Sequence, residues 1–91
     1  MKKTKIICTL GPATDNPQTL EKMILAGMDV ARFNFSHSNY DEHEKRLKEV
    51  IAVREKLNAP VATLLDTKGP EIRLGDFENP DGVTINEGDK F

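Results

Sequence analysis

Two short stretches of the chain hold most of the residues able to do chemistry. They are Arg32-Phe33-Asn34-Phe35-Ser36-His37 and Asp66-Thr67-Lys68-Gly69-Pro70-Glu71-Ile72-Arg73. Together they offer amide, hydroxyl and carboxylate oxygens beside two arginines. Oxygen ligands of this kind suit a hard cation. Planar guanidinium groups with a permanent charge match phosphate oxygens. A site holding both is suited to phosphoryl transfer, which rests mostly on positioning and charge neutralisation. The sequence shows no Walker-type glycine loop, no catalytic triad and no paired metal-binding histidines.

Each of these residues also has an ordinary reading. Arg32 alone reads equally well as a surface ion-pair partner, and Asp66 as the cap of a following turn. Asn34 and Ser36 alone read as turn residues. Cys8 reads as a small buried hydrophobe on a strand. His43 reads as a solvent-facing member of a charged helix. His37 is placed for a ligand, yet no base or nucleophile stands beside it.

The elements that must position the two clusters alternate in type. Lys5 to Leu10 reads as a strand ended by Gly11-Pro12. Asn16-Pro17 is a helix start, because Asn caps free amides and Pro at the first helical position loses no hydrogen bond. Leu20, Met23 and Ile24 then share one face, and Gly27 is a C-terminal stop. Met28 to Phe35 reads as a second strand. Ser38 is expected to open a longer helix, with Asp41 completing a short-armed capping box. Its apolar face is expected to be Tyr40, Leu47, Val50, Ile51 and Leu57. Asp41/Lys45, Glu42/Arg46 and Glu44/Lys48 are acid-first pairs four apart, each adding only ~0.2–0.5 kcal/mol to a solvated face. Asn58 and Pro60 end that helix. Val61 to Leu65 is apolar on both faces, as in a buried parallel strand.

Strand, helix, strand, helix, strand in this order implies a parallel sheet. A (β/α)8 barrel and an open doubly wound sheet both begin this way. In either, the carboxyl ends of the strands form the ligand site, so the two clusters should face one another. After Lys68 turn clusters dominate, with pieces such as Val83-Thr84-Ile85 alternating like antiparallel strands. A domain boundary is expected near Gly69, and a last strand is expected to begin at Lys90-Phe91.

The totals narrow the class. The chain has 91 residues, 37% hydrophobic and 31% charged, with net charge −2. That size allows one small domain or part of a larger one. The acidic balance gives no footprint for nucleic acid. No apolar run reaches membrane-spanning length, and the apolar stretch after the basic Met1–Lys5 opening is too short for a signal-peptide core. A single cysteine fits a reducing cytoplasm.

Three segments resemble one family. Thr4 to Ala13 is similar to the opening strand of pyruvate kinases. Gly27 to His37 resembles their second strand and the turn after it. Leu65 to Arg73 resembles the hinge into their mobile lid. The resemblance covers essentially the whole chain but only the first part of a family member, in a form that looks bacterial. It implies the first three β/α units of a (β/α)8 TIM barrel over residues 1–69, followed by the start of a small β-barrel lid over 70–91.

The resemblance also implies roles. Family members transfer the phosphoryl group of phosphoenolpyruvate to ADP, giving pyruvate and ATP. On that basis Arg32 binds the transferring phosphoryl group, and Asn34, Ser36, Asp66 and Thr67 hold potassium. Asn34, Phe35, Ser36 and His37 lie along the nucleotide site, and Arg73 contacts nucleotide phosphates. Glu71 goes with potassium dependence, since an acid there leaves a charge deficit that a cation fills. Phe33 stands where leucine is commoner, and Ser38 where glycine is commoner. The Mg²⁺ ligands and the lysine that assists transfer belong to later strands, so the chain alone is expected to be inactive. The parent is expected to be a cytoplasmic homotetramer. A second reading is a stand-alone, non-enzymatic domain that binds a phosphorylated ligand or self-associates through edge strands.

Overall fold

The computed structural model describes residues 3–90. Three strands alternate with two helices: β1 (Ile7–Thr9), α1 (Pro17–Ala26), β2 (Val30–Asn34), α2 (Tyr40–Leu57) and β3 (Ala62–Asp66), with one 3₁₀ turn at Pro12–Thr14. The strands form a sheet in the order β1-β2-β3. Both pairings are parallel, with Thr9 opposite Arg32, and Asn34 opposite Asp66. The α/β alternation read from the sequence is therefore present, consistent with part of a TIM barrel.

The helix ends follow from local chemistry. Asn16 caps α1 by accepting from the Thr19 amide at 2.9 Å, and Gly27 ends it at φ 121°, a backbone conformation glycine adopts without strain. The start of α2 corrects the sequence expectation: Asn39, not Ser38, is the cap, and its side chain accepts from the Glu42 amide at 2.9 Å. Ser38 instead sits in a left-handed conformation, φ 63°. That region is one a glycine would occupy without strain. Asn58 ends α2 at φ 49°.

The core gathers Leu20 and Ile24 of α1, Val50 and Val53 of α2, Ala31 and Phe33 of β2, and the flanking Leu10, Met28 and Val61. Cys8 is half-buried and packs against this cluster. The expected apolar face of α2 is partly wrong. Tyr40 is 78% exposed and Leu47 is also exposed, whereas His43 and Arg46 are buried beside Val50 and Val53. His43 is not solvent-facing, because its ring stacks on Phe35. Arg46 does not spend its charge on Glu42 at the surface; it binds Asp15 across the helix pair. Glu44–Lys48 forms as a surface pair at 3.1 Å.

β3 is exposed along most of its length, Leu65 at 58%. The expected buried parallel strand is thus uncovered, because the two helices shield β2 and, among the described residues, nothing lies over its neighbour. Beyond Asp66 no strand forms among the described residues, Val83-Thr84-Ile85 included, and nearly all of 67–90 is exposed. The strand expected at Lys90-Phe91 ends outside the described residues. The radius of gyration is 17.3 Å, against about 12 Å for a compact domain of this length. The extended segment after β3 accounts for the excess.

Candidate functional site

Strand parity decides which side chains meet. Successive side chains point to opposite faces, so residues two apart share one. Ala31 and Phe33 turn toward the helices and are buried; Arg32 and Asn34 turn to the other face and are half-buried. The register puts Thr9 and Asp66 on that same face, at the carboxyl ends of β1 and β3. Arg32, the central residue, is therefore flanked on both sides.

The contacts fill in this frame. Arg32 Nε donates to Asp66 Oδ2 at 3.0 Å, and Nη2 donates to the same oxygen. Arg32 Nη1 donates to Thr9 Oγ1 at 2.8 Å. A guanidinium carries five N–H groups, so among the described residues two remain, one on each terminal nitrogen. The Arg32 side chain is only 28% exposed. A planar fork held at three points with two donors left over is prepared to bind an anion without further ordering.

Nothing in the sequence alone marks Thr9 as a partner of Arg32. Its signal was available only through register, since a threonine at a strand end is otherwise unremarkable. Asp66, Arg32 and Asn34 are brought together as expected. Asn34 Oδ1 accepts from the Ser36 amide at 3.1 Å, and the Phe35 amide donates to the Asp66 carbonyl at 2.9 Å. His37 closes the turn by donating its amide to the Asn34 carbonyl at 3.2 Å. Thr67 follows directly and is exposed. Glu71 and Arg73 pair only with each other, at 3.9 Å, and among the described residues no bond links them to the Arg32–Asp66 cluster.

A second polar cluster lies behind the first. Arg46, 4% exposed, donates from Nε and Nη2 to the two oxygens of Asp15 at 2.7 and 3.0 Å, and from Nη1 to Ser38 Oγ at 3.1 Å. The hydrogen bonds from Arg46 hold the Asp15 carboxyl below the usual carboxylate range, against a smaller opposing effect of burial. The same pairing raises the Arg46 pKa further.

Comparison with known proteins decides between a barrel and an open sheet. Residues 1–91 match the family described as pyruvate kinase, barrel domain. The chain belongs to the pyruvate kinase family. It is 51% identical over 89 residues to a pyruvate kinase of Chlamydia muridarum, covering 98% of this chain and 18% of that protein. Against the pyruvate kinase of Clostridium acetobutylicum it is 52% identical over 91 residues, 100% of this chain and 19% of that one. For Staphylococcus epidermidis the figures are 48% over 90 residues, 99% and 15%. The chain thus spans less than a fifth of the length of these curated relatives.

The metals that the family generally uses can be weighed against the residues present. Asn34, Ser36, Asp66 and Thr67 would contribute hard oxygens with one carboxylate, and that carboxylate already carries Arg32 beside it. Such a set suits a monovalent cation. A divalent ion such as Mg²⁺ does not fit it, and among the described residues no three His, Cys, Asp or Glu side chains gather as a metal site. Nor, among the described residues, is any helix long and apolar enough to cross a membrane.

Proposed function

We propose that this chain supplies the phosphoryl-binding and monovalent-cation half of a pyruvate kinase active site, which transfers the phosphoryl group of phosphoenolpyruvate to ADP. The observation that carries the reading is the Arg32–Asp66 pairing at the tips of adjacent parallel strands. Arg32 turns its two remaining N–H groups to the transferring phosphoryl oxygens and neutralises charge as it develops. Asp66 cancels the charge of Arg32 in the absence of ligand. A potassium ion held by Asn34, Ser36, Asp66 and Thr67 restores a positive field where the phosphoryl group must sit. Anion and cation binding are therefore coupled through one carboxylate.

Asn34 to His37, running from the tip of β2, lines the nucleotide phosphates, with Arg73 joining from the segment after β3. Their present separation makes closure of that segment part of substrate binding. In the same reading residues 1–69 belong to the barrel and 70–91 begin the lid. The nearly unbroken exposure after Asp66 supports a boundary near Gly69. Glu71 keeps the site dependent on potassium.

A coupled assay for pyruvate formation tests this reading. The full-length protein should turn over phosphoenolpyruvate and ADP, with potassium stimulating. The 91-residue chain alone should give no rate above background, because the Mg²⁺ ligands are missing. Turnover by the full-length protein that ignores potassium would remove the cation half of the proposal.

A further inference from the structure

Helix α2 buries two polar residues where helix–sheet packing ordinarily takes apolar ones. His43 and Arg46, three apart, are 5% and 4% exposed. Burying a guanidinium or an imidazole is unfavourable unless hydrogen bonds compensate. Both find their partners in the turn that follows β2. His43 Nε2 donates to the His37 carbonyl at 2.8 Å, which fixes the Nε2–H tautomer and leaves Nδ1 without a partner among the described residues. The ring lies flat on Phe35, centroids 4.4 Å apart at 10°, and edge-on to Phe33. Arg46 binds Ser38 Oγ and, through a two-point pair, Asp15 in the loop after β1. Ser38, at φ 63°, is the residue that turns the chain from the loop into the helix.

We propose that His43 and Arg46 are positioning residues for the Asn34–His37 loop, bracing it from beneath, with Asp15 as the anchor that orients Arg46. The proposal rests on the reading of that loop as a nucleotide and cation site. The bracket grips the His37 carbonyl, the Ser38 hydroxyl and the Phe35 ring, so one turn of the chain is held at three points by one rigid helix. The gripped groups belong to the loop itself or to the residue after it, so the bracket sets the conformation in which the loop presents its oxygens. Arg46 also ties the β1 loop to the β2 loop, and both loops leave the carboxyl edge of the sheet. A helix that needed only stability would do as well with apolar residues of equal volume. Two buried polar groups aimed at one turn instead specify its conformation.

The test uses the full-length enzyme with Asp15→Asn, Asp15→Glu and Arg46→Lys. Asp15 is partly exposed, so its variants are expected to fold even where changes at Arg46 do not. In Asp15→Asn the Michaelis constant for ADP should rise about tenfold, while that for phosphoenolpyruvate, which meets Arg32, should stay within about twofold. Asp15→Glu, which can still hold the fork, should recover most of the loss. Hydrogen exchange gives a readout independent of turnover. Amides of residues 34–38 should exchange about ten times faster in Asp15→Asn, with α1 unchanged. Unchanged exchange at 34–38, or an increase spread evenly over α1 and α2, would overturn the bracket. So would a lowered melting temperature with both Michaelis constants intact, the signature of a merely structural pair. If wild-type enzyme shows no turnover, the kinase reading fails, and the exchange data still decide for or against the bracket.

Discussion

Arg32 meets a single oxygen of Asp66: Nε and Nη2 both donate to Oδ2, and no protein donor among the described residues reaches Oδ1. The two oxygens of this carboxylate are thus in different settings. Oδ2 orients the guanidinium, and in the proposed reading Oδ1 faces the cation. Asn34, the register partner of Asp66, stands beside it on the same face.

Asp66→Asn separates the two tasks. The amide oxygen can still accept from Arg32, but the negative charge that attracts a cation is gone. In the full-length enzyme the potassium concentration for half-maximal rate should rise by about tenfold or more, near 1.4 kcal/mol. Arg32 would also be left partly uncompensated, so phosphoenolpyruvate binding should weaken less than cation binding, or even tighten. Steady-state rates over a potassium titration check this, and an unaltered potassium response would remove Asp66 from the cation site.

Thr9→Val tests the other side of the fork. Valine keeps the strand-forming shape of threonine and removes the hydroxyl that accepts from Arg32 Nη1. A typical hydrogen bond of this sort contributes about 1 kcal/mol, so kcat/KM for phosphoenolpyruvate should fall about fivefold. The fold should be undisturbed, since Thr9 is exposed. Equal kcat/KM in the two proteins would mean that Asp66 alone orients Arg32.

What the sequence made legible was whatever depends on order and period. Strand–helix alternation, the Asn16 cap and the meeting of Arg32 with Asp66 at adjacent strand tips all follow from local pattern plus the rules of parallel sheets. Contacts that depend on the path of a loop were not legible. Arg46 looked like half of a surface pair with Glu42 because spacing alone cannot see Asp15, which lies 31 positions away. His43 looked solvated because its neighbours are charged, while its burial comes from the aromatic side chains of Phe33 and Phe35. The composition of Val61 to Leu65 suits a two-sided buried environment. The environment that would cover β3 is not made by the described residues.

Ser38 carries opposing effects that two variants can separate. A left-handed conformation costs a non-glycine residue about 1–2 kcal/mol, and the bond from Arg46 to its hydroxyl returns about 1 kcal/mol. Ser38→Gly removes both and should leave stability within about 1 kcal/mol of wild type. Ser38→Ala loses the same bond but keeps the strain, so it should be the less stable of the two by about 1–2 kcal/mol. Urea midpoints of the three proteins decide the order. Alanine matching serine would show that the hydroxyl contributes nothing, and alanine matching glycine that the left-handed conformation costs nothing.

Asp15 gives the fold a pH dependence of determined sign. Arg46 holds the folded carboxyl below its usual range, so the unfolded chain binds a proton at higher pH than the folded one. The stabilisation is therefore complete above the unfolded carboxylate value, about 3.9. It declines as pH falls through the lower, folded value. In Asp15→Asn this contribution is absent at every pH, while the other carboxylates titrate as before. The stability gap between wild type and variant should be constant from neutral pH down to about 5 and should close progressively below about 4. Denaturation midpoints of both proteins across that range provide the measurement. A gap that persists unchanged into acid would mean that the Asp15 charge is not what Arg46 binds. One that widens would require a folded carboxyl with a raised affinity for protons, the opposite of an ion pair with a buried guanidinium.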